Sequence, residues 1–488
     1  MSPNSSAIKL VYGASGYVGT HLVEHLRGSH QHLRAAARRL DALEARNWDE
    51  VECVRSDALN PETLPAALSD VDTAYYLVHS MAAGSDFGRL DLTAAANFAR
   101  AAADAGVRRI VYLGGLVPDD ARSEHIVSRR DTGEVLREGS VPVTEVRAGI
   151  IVGPGSAAFE VMRDLVFHLP IMLTPRWVRS KSPPIALTNL LTYLEEIAAH
   201  PIAAGRIYEA AGPDRLTYEE MMTILAEVAN HRRPFIVPVP VLTPRLSAWW
   251  LKFVTSVPTN IARALVEGLE HDFEARTDPL ETLIPQDLLN FEQSVEAVFE
   301  AEQQATVQAR WVEGAFAFRG HRKDHAYYAK KASGYFETEL PAETVWRELC
   351  TIGGSTRYFY LNFLWTLREL LDWFVGGSGL KRTRRHPEKL RVGDRVDSWD
   401  VVGLEPGKRL TMKFGMKAPG TGVLEFELNE GTDGRTRLTA TAYWHPAGIA
   451  GILYWLSLEP AHRIIFRGLT RRICERAAER AQRLQEAP

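Results

Sequence analysis

Cysteine is scarce in this chain, and long apolar runs and an excess of either charge are missing. Only three of the 488 residues are cysteines, at positions 53, 350 and 474, and their spacing fits neither a disulfide framework nor a metal site. The net charge of −4 gives no electrostatic basis for binding nucleic acid. We therefore expect a protein of a reducing compartment, the cytoplasm, that binds neither nucleic acid nor a metal.

No stretch reaches the roughly 18 uncharged apolar residues that a membrane-spanning helix needs. The nearest approach, His445–His462, is interrupted by Glu459 and Pro460 and predicts either a buried helix or an element at a membrane surface. The first residues carry neither the basic start nor the apolar centre of a secretory signal. We therefore predict no transmembrane segment.

Length and pattern divide the chain into three parts. Short apolar runs alternate with helical patterns over residues 1–150, which predicts a parallel sheet covered by helices on both faces. Residues 151–308 are richer in proline and irregular, and we expect them to cover the carboxyl edge of that sheet. Residues 309–488 combine strand-like runs, turn pairs such as Pro406–Gly407 and a helix at about Ala461–Glu486, which predicts a separate α+β domain.

The run GASGYVG (Gly13–Gly19) follows a predicted strand, Ile8–Tyr12, and opens a predicted helix. In that setting Gly13 permits a tight turn, Gly16 lets the backbone approach a pyrophosphate, and Gly19 lets the helix pack against the strand. The amides at the start of the helix then face the phosphates. The run predicts a dinucleotide-binding site in an α/β domain of the Rossmann type.

The end of the second predicted strand decides between the two pyridine dinucleotides. An acid there would bind the ribose 2′-hydroxyl of NAD, whereas this chain has Arg38 and Arg39, whose guanidinium groups suit a 2′-phosphate. We expect NADP(H), with NAD(H) kept as an alternative by Asp41. Asp57, after the third strand, is placed either to bind the adenine amino group or to cap a helix.

Several stretches resemble an atypical extended short-chain dehydrogenase/reductase, with NmrA-like proteins and the NADPH-binding accessory subunit of respiratory complex I as the nearest groups. The resemblance is carried by VYGASGYVGTHLVEHL, YYLVHSM, RIVYLGGLVP and RAGIIVGPGSAAFE, and VPVLTPRLSAWWLKFVTSVPTNIARALVEGL is similar to the variable region of the same group. It implies cofactor contacts from Gly13, Ala14, Ser15, Gly16, Tyr17, Val18, Arg38, Arg39, Asp57, Ala58, Leu77, Val78, His79, Leu113, Gly114 and Gly115.

Residues 309–488 resemble a domain of unknown function that is related to the START-like helix-grip (SRPBCC) fold. The stretches GLKRTRRHPEKLRVGDRVDSWDVVGLEPGKRL and TAYWHPAGIAGILYWLSLEPAHRIIFRGL carry this second match. Such folds close a sheet around a long helix and leave an apolar cavity, which implies a bulky hydrophobic ligand; the alternative is an ordinary aromatic core. The candidate lining residues are Trp365, Trp373, Trp399, Trp444, His445, Tyr454 and Trp455, of which Trp365, Trp399, Trp444 and Tyr454 are the predicted substrate pocket.

The proton relay of short-chain reductases, a Ser or Thr after the fifth strand and a Tyr-x-x-x-Lys pair on the next helix, is missing from the first 150 residues. Gly114 and Gly115 occupy the place of the serine, and the next helix, within Ser123–Leu136, has no tyrosine or lysine. The spacing recurs at Tyr327 and Lys331, where it leads into a predicted strand. A strand does not bring residues i and i+4 together as a helix does, so we interpret that pair as coincidental.

Other polar residues near the predicted site are candidates to replace the relay. His79 ends the fourth strand and would donate the proton, or it is a hydrogen-bonded structural residue. Arg129 or Arg130 would replace the positive charge of the lysine. The predicted catalytic set is His79, Ser80, His125 and Arg129, with Ser123 and Ser128 as further proton carriers.

Together these features predict an NADP(H)-dependent oxidoreductase that acts on a hydrophobic small molecule such as an enone, imine, quinone or carbonyl compound. Hydride transfer to an activated alkene, an imine or a quinone-like ring needs little help from an acid, which would explain the missing relay. The alternative is a non-catalytic NADP(H)-binding sensor or assembly protein. The missing Tyr/Lys pair favours that alternative, and the predicted pocket favours the enzyme.

Overall fold

The chain folds into two compact units, Met1–Gln304 and Ala305–Pro488. The computed structural model describes residues 7–29, 32–44, 46, 48, 50–79, 87–118, 121, 123–174, 176–238, 255, 257, 271–304, 328–354, 356–374, 384, 386, 388–431 and 434–486.

Short apolar runs of the first unit form one seven-stranded sheet. Its strands are β1 (Ile8–Tyr12), β2 (Leu33–Ala37), β3 (Val51–Arg55), β4 (Val71–Tyr76), β5 (Arg109–Gly115), β6 (Val143–Ala148) and β11 (Ile207–Ala210). They lie in the order β11-β6-β5-β4-β1-β2-β3, and every pairing is parallel. The predicted parallel α/β sheet is confirmed, and the order reverses between β1 and β4, as in doubly wound folds.

Helices cover both faces of this sheet, because successive strand residues point to opposite sides. The helices that connect the first strands are α1 (Tyr17–Arg27), α2 (Leu40–Glu44), α3 (Leu64–Leu68), α4 (Phe87–Asp104) and α5 (Glu124–Arg137). Val11 and Tyr75 belong to the apolar cluster that includes α1. Their neighbours Tyr12 and Tyr76 belong to the opposite cluster, where both rings pack on Phe98 of α4.

The middle segment both completes the sheet and adds smaller strand pairs. Its further elements are β7 (Ile150–Val152), α6 (Ala157–His168), β8 (Ile171–Thr174), β9 (Lys181–Ser182), β10 (Pro184–Ala186), α7 (Leu187–Ile197), β12 (Leu216–Thr217), α8 (Tyr218–Val228), β13 (Phe235–Pro238), α9 (Asp278–Leu283) and α10 (Phe291–Gln304). A capping box of Thr217 and Glu220 starts α8. Strand β11 pairs with β6, so the sheet extends beyond residue 150.

The second unit is an antiparallel sheet against a long helix. Its elements are β14 (Lys330–Thr338), α11 (Ala342–Leu349), α12 (Asn362–Phe374), β15 (Arg395–Val396), β16 (Trp399–Glu405), β17 (Arg409–Phe414), β18 (Gly420–Glu430), β19 (Thr436–Pro446) and α13 (Gly448–Glu486). The strand order is β14-β19-β18-β17-β16-β15. Gly407 and Gly434 have positive φ in the turns of two of the hairpins. The predicted α+β class of this unit is confirmed.

Helix α13 is longer than the sequence predicts. It begins at Gly448 rather than near Ala461, and Pro460 lies inside it. Gly334 of β14 permits the close packing of sheet and helix, since a Cβ there would lie 2.4 Å from the backbone nitrogen of Arg467. Within the described ranges, we find no helix with the length and apolar character needed to span a membrane.

The packing of α1 on β1 yields a stability prediction. A Cβ at Gly19 would lie 2.3 Å from the carbonyl oxygen of Gly13, whereas a Cβ at Gly28, at the other end of the helix, would have its nearest neighbour 3.9 Å away. We expect Gly19→Ala to lower the free energy of unfolding by about 1–3 kcal/mol or more. Gly28→Ala should leave it unchanged or raise it by up to about 1 kcal/mol. Urea unfolding of both variants tests this, and equal effects would contradict it.

Candidate functional site

The glycine loop makes a tight turn between β1 and α1. Gly13 has φ of +96°, and a Cβ there would lie 2.9 Å from the carbonyl carbon and oxygen of Leu77, which follows β4. The amides of Gly13 and Ala14 both donate to the carbonyl oxygen of Ala36, at 2.9 and 3.1 Å. The loop is therefore fixed against the ends of two neighbouring strands, and only glycine fits at its first position.

The start of α1 offers uncapped backbone amides. Gly16 is the N-cap residue in extended conformation, no side chain caps the helix, and its first turn has no acidic residue. Ser15 and Gly16 are exposed, whereas Gly19 is buried against the loop. Uncapped amides and the positive end of the helix dipole make this a suitable place for a phosphate group. The residues present thus fit a dinucleotide.

The predicted contacts to the adenosine end lie after β2 and β3. Arg38 and Arg39 are both exposed where β2 ends, and the side chain of Asp41 lies outside the described residues. Asp57 accepts a hydrogen bond from the amide of Leu59 at 3.0 Å, so its carboxylate also stabilises the local turn. Ala58 beside it is buried.

His79, at the end of β4, is held by a residue that sequence reasoning missed. Its Nδ1 atom lies 3.1 Å from Oδ2 of Asp91 on α4, and the two side chains are only 14% and 4% exposed. An ionised carboxylate accepts hydrogen bonds but does not donate them, so Nδ1 carries the proton. Nε2 of His79 is buried and has no hydrogen-bond partner among the described residues.

The surroundings of His79 favour the neutral ring. Its pKa is lowered by burial and by the positive charge of Arg129, and Asp91 only partly opposes this. In the neutral ring with Nδ1 protonated, Nε2 is an acceptor. The predicted role of His79 as a proton donor is therefore disfavoured, and the role of an acceptor is favoured.

His125 and Arg129 of α5 lie near His79, so three of the four predicted catalytic candidates are close together. The rings of His79 and His125 lie 4.9 Å apart. Burial, Arg129 and His79 lower the pKa of His125 to about 2. The fourth candidate, Ser80, lies outside the described residues.

Other residues of α5 take structural roles. Ser128 donates a hydrogen bond to Oδ2 of Asp91 at 3.3 Å, and Arg130 pairs with its neighbour Asp131 at 2.8 Å. Ser123 is buried, and its hydroxyl has no partner among the described residues. Arg130 thus has an acidic partner, which leaves Arg129 as the better candidate for the positive charge near His79.

Two glycines end β5 where a relay serine would stand, and each has a neighbour that explains it. A Cβ at Gly114 would lie 3.0 Å from Oε1 of Glu145, and a Cβ at Gly115 would lie 3.5 Å from the side chain of Arg129. Glu145 is 1% exposed and pairs with Arg137 and with Arg147, the latter at 2.7 Å. Side chains from β6 and α5 therefore fill the space that larger residues on β5 would occupy. Of the recurring Tyr-x-x-x-Lys spacing, Lys331 lies on β14 of the second unit, and Tyr327 is outside the described residues.

The four predicted pocket residues of the second unit do line one cavity, of about 50 Å³. Its walls come from α12, α13 and strands β16–β19, and the lining aromatic residues are Trp365, Trp399, Phe414, Tyr443, Trp444, Tyr454, Trp455 and Phe466. Of the three remaining candidates, Trp455 also lines the cavity, Trp373 is 58% exposed, and His445 is buried but is not among the lining residues. The cavity also contains Arg368 and His462, which sequence reasoning missed.

Comparison with known proteins supports the assignment of the first unit. Residues 13–148 match the model of a family described as NAD(P)H-binding, and residues 323–469 match that of a protein family of unknown function, DUF2867. A (4-alkanoyl-5-oxo-2,5-dihydrofuran-3-yl)methyl phosphate reductase of Streptomyces griseus is 28% identical over 285 residues, which are 57% of this chain and 90% of the relative.

Two solved structures have the fold of the first unit. Triphenylmethane reductase of Citrobacter sp., in complex with NADP(H), has a TM-score of 0.51 at 19% identity over 60% of this chain and 99% of its own. A nucleoside-diphosphate-sugar epimerase of Staphylococcus aureus has a TM-score of 0.50 at 15% identity over 59% of this chain and 99% of its own. The first unit is thus an NAD(P)H-binding domain of the Rossmann type, and reductases are among the proteins it resembles.

The depressed pKa of His125 predicts acid sensitivity. In the unfolded chain His125 binds a proton below about pH 6.5, whereas in the folded protein the buried ring stays neutral at that pH. The contribution of His125 to the free energy of unfolding is therefore fully present above about pH 6.5 and decreases as the pH is lowered. Between pH 7.5 and 5.5 we expect wild type to lose more thermal stability than His125→Gln does. Calorimetric melts test this, with exposed His32→Gln as a control that should behave as wild type. An unchanged pH dependence in His125→Gln would contradict the prediction.

Proposed function

We propose that this protein is an NADP(H)-dependent oxidoreductase that acts on a hydrophobic small molecule. One observation carries the proposal: His79, oriented by Asp91 and with an unpartnered Nε2 among the described residues, lies immediately after the residues that touch the glycine loop. When bound, the nicotinamide supplies or accepts a hydride. A buried and oriented histidine beside the glycine loop supports chemistry there rather than nucleotide binding alone.

The residues of the first unit would divide the work of holding the nucleotide. Gly13–Val18 would bind the pyrophosphate through backbone amides, and Leu77–His79 and Leu113–Gly115 would border the two riboses. Arg38 and Arg39 would contact the 2′-phosphate, since both are exposed at the end of β2. This arrangement favours NADP(H) over NAD(H).

The electrostatics around His79 favour substrates that need little acid assistance. Its lowered pKa makes the protonated form scarce at neutral pH, so reduction of an unactivated carbonyl would lack a ready proton. Nε2 would instead accept a hydrogen bond and orient the substrate, while Arg129 would stabilise negative charge that develops on it. Activated alkenes, imines and quinone-like rings fit these conditions.

The Streptomyces griseus relative supports the same class of substrate. Its named substrate contains an unsaturated lactone whose ring double bond is conjugated with carbonyl groups. Such an alkene is activated towards hydride addition. We propose an acceptor of comparable reactivity, with an apolar body, for this chain.

The other parts of the chain would serve the same reaction. Residues 151–308 would cover the reacting carbon, and residues 309–488, as a START-like helix-grip domain, would bind or deliver the hydrophobic substrate. The cysteines are unpaired, which supports a reducing, cytoplasmic location. The competing function, a non-catalytic NADP(H) sensor, is favoured by the missing Tyr/Lys pair and is an explicit outcome of the turnover test below.

The cofactor preference is tested by charge reversal. Arg38→Asp should weaken NADPH binding by about tenfold or more, because it removes a partner of the 2′-phosphate, while NADH binding changes little. Arg27→Asp, at the far end of α1, is the matched control and should change neither. Calorimetric titration of both nucleotides provides the measurement. Equal weakening of NADPH and NADH in Arg38→Asp would contradict the assignment.

The role of His79 is tested by substituting its two nitrogens separately. His79→Asn keeps a group near Nδ1 for Asp91 but removes Nε2, whereas His79→Gln keeps a polar group nearer Nε2. If Nε2 contacts the substrate, NADPH consumption with a panel of hydrophobic enones, imines and quinones should fall by about 10²-fold or more in His79→Asn and less in His79→Gln.

His32→Gln, exposed at the opposite edge of the sheet, is the control and should leave turnover unchanged. Tight NADPH binding without turnover of any compound in wild type would favour the sensor. Full activity of His79→Asn would remove His79 from the reaction.

A further inference from the structure

The cavity of the second unit contains a cation, Arg368, that has no counter-ion among the described residues. The guanidinium carbon of Arg368 lies 4.4 Å from the ring centre of Phe414, 5.1 Å from that of Trp399 and 5.6 Å from that of Trp365. Its Nε atom is buried and has no hydrogen-bond partner among the described residues. None of the described residues that line the cavity is an acid.

The two nearest acids in the sequence form no ion pair with Arg368 among the described residues. Glu369 pairs with Arg357 at 3.4 Å. Asp372, one turn further along α12, accepts a hydrogen bond at Oδ1 from the amide of Lys417 at 2.7 Å, and its buried Oδ2 has no partner within the described ranges. Among the described residues, the groups that contact the guanidinium of Arg368 are aromatic faces.

Further unpartnered nitrogens surround the same cavity. Trp365 and Trp399 are 6% and 5% exposed, and neither indole Nε1 has an acceptor in the described part of the chain. Nδ1 of His462 is likewise buried without a partner. Indole N–H groups only donate hydrogen bonds, so the cavity combines a cation with unused donors. The described residues of its lining include no carboxylate.

We propose that this cavity binds the anionic head of an amphipathic molecule, a carboxylate or phosphate attached to an apolar body. Arg368 supplies the charge, and the indoles of Trp365 and Trp399 supply hydrogen bonds to the anionic oxygens. A volume of about 50 Å³ accommodates only about four water-sized groups. The head of the ligand therefore occupies the cavity, and its apolar body extends from it.

This inference extends the proposed ligand-binding role of the second unit by naming the charge of the ligand. It concerns binding only, so its test is independent of whether the first unit transfers a hydride. Failure of the turnover test would leave it standing, and the reverse also holds.

The experiment is a calorimetric titration of the full chain with decanoate, decyl phosphate and neutral decan-1-ol, supported by tryptophan emission. We expect at least one of the two anions to bind about tenfold or more tightly than the alcohol, and the stronger anion identifies the head group. Arg368→Met keeps most of the apolar stem and should abolish this preference while alcohol binding is retained. Arg463→Met, exposed on α13, is the matched control and should behave as wild type.

A second variant keeps the test valid if Arg368→Met fails to fold. Trp399→Phe retains an aromatic ring but removes one donor, and it should weaken binding of the preferred anion several-fold without affecting the alcohol. Equal affinity for all three probes in wild type would overturn the proposal. So would unchanged anion affinity in folded Arg368→Met.

Discussion

The close approach of α1 to the end of β1 is the contact on which the nucleotide site depends. The helix can pack there only because Gly19 has no side chain to meet the carbonyl oxygen of Gly13. Gly13 in turn lies against the backbone of Leu77, so the loop is fixed between β1 and β4, where the strand order reverses. The absence of side chains at Gly13 and Gly19 thereby sets the position of the helix amides relative to the segment that contains His79.

The chemical character of the nucleotide site follows from the charge and burial of the residues around the glycine loop. Uncapped amides and exposed arginines suit a cofactor rich in phosphate. The two histidines near this site are difficult to protonate, because burial and the charge of Arg129 lower the pKa of both His79 and His125. The histidines are therefore poor proton donors at neutral pH. The tyrosine and lysine of the proton relay in short-chain reductases are also missing from this part of the chain. Hydride acceptors that are already activated are consistent with both facts.

Local signals in the sequence predicted most of the first sheet. They did not predict the contacts between residues that are far apart in the sequence. Strand β1 has its predicted bounds, Ile8–Tyr12, because a short apolar run before turn residues encodes it directly. Strand β11 was not predicted as part of the sheet, since its pairing with β6 is a long-range contact. Asp91 was missed although it shares a helix face with Ala95 and Phe98, where an acid on an apolar stripe signals a buried partner.

The partners of the buried arginines elsewhere in the chain differ from those of Arg368. Arg163 is paired with Glu302 at 2.6 Å, and Arg34 with Glu52 at 2.7 Å, while Arg109 donates to two carbonyl oxygens. In each case the fold supplies the acceptors that a desolvated guanidinium requires. Around Arg368 it supplies aromatic faces, which attract a cation but leave the buried Nε–H group without an acceptor among the described residues. An anionic ligand completes that set of interactions, and a neutral apolar ligand does not.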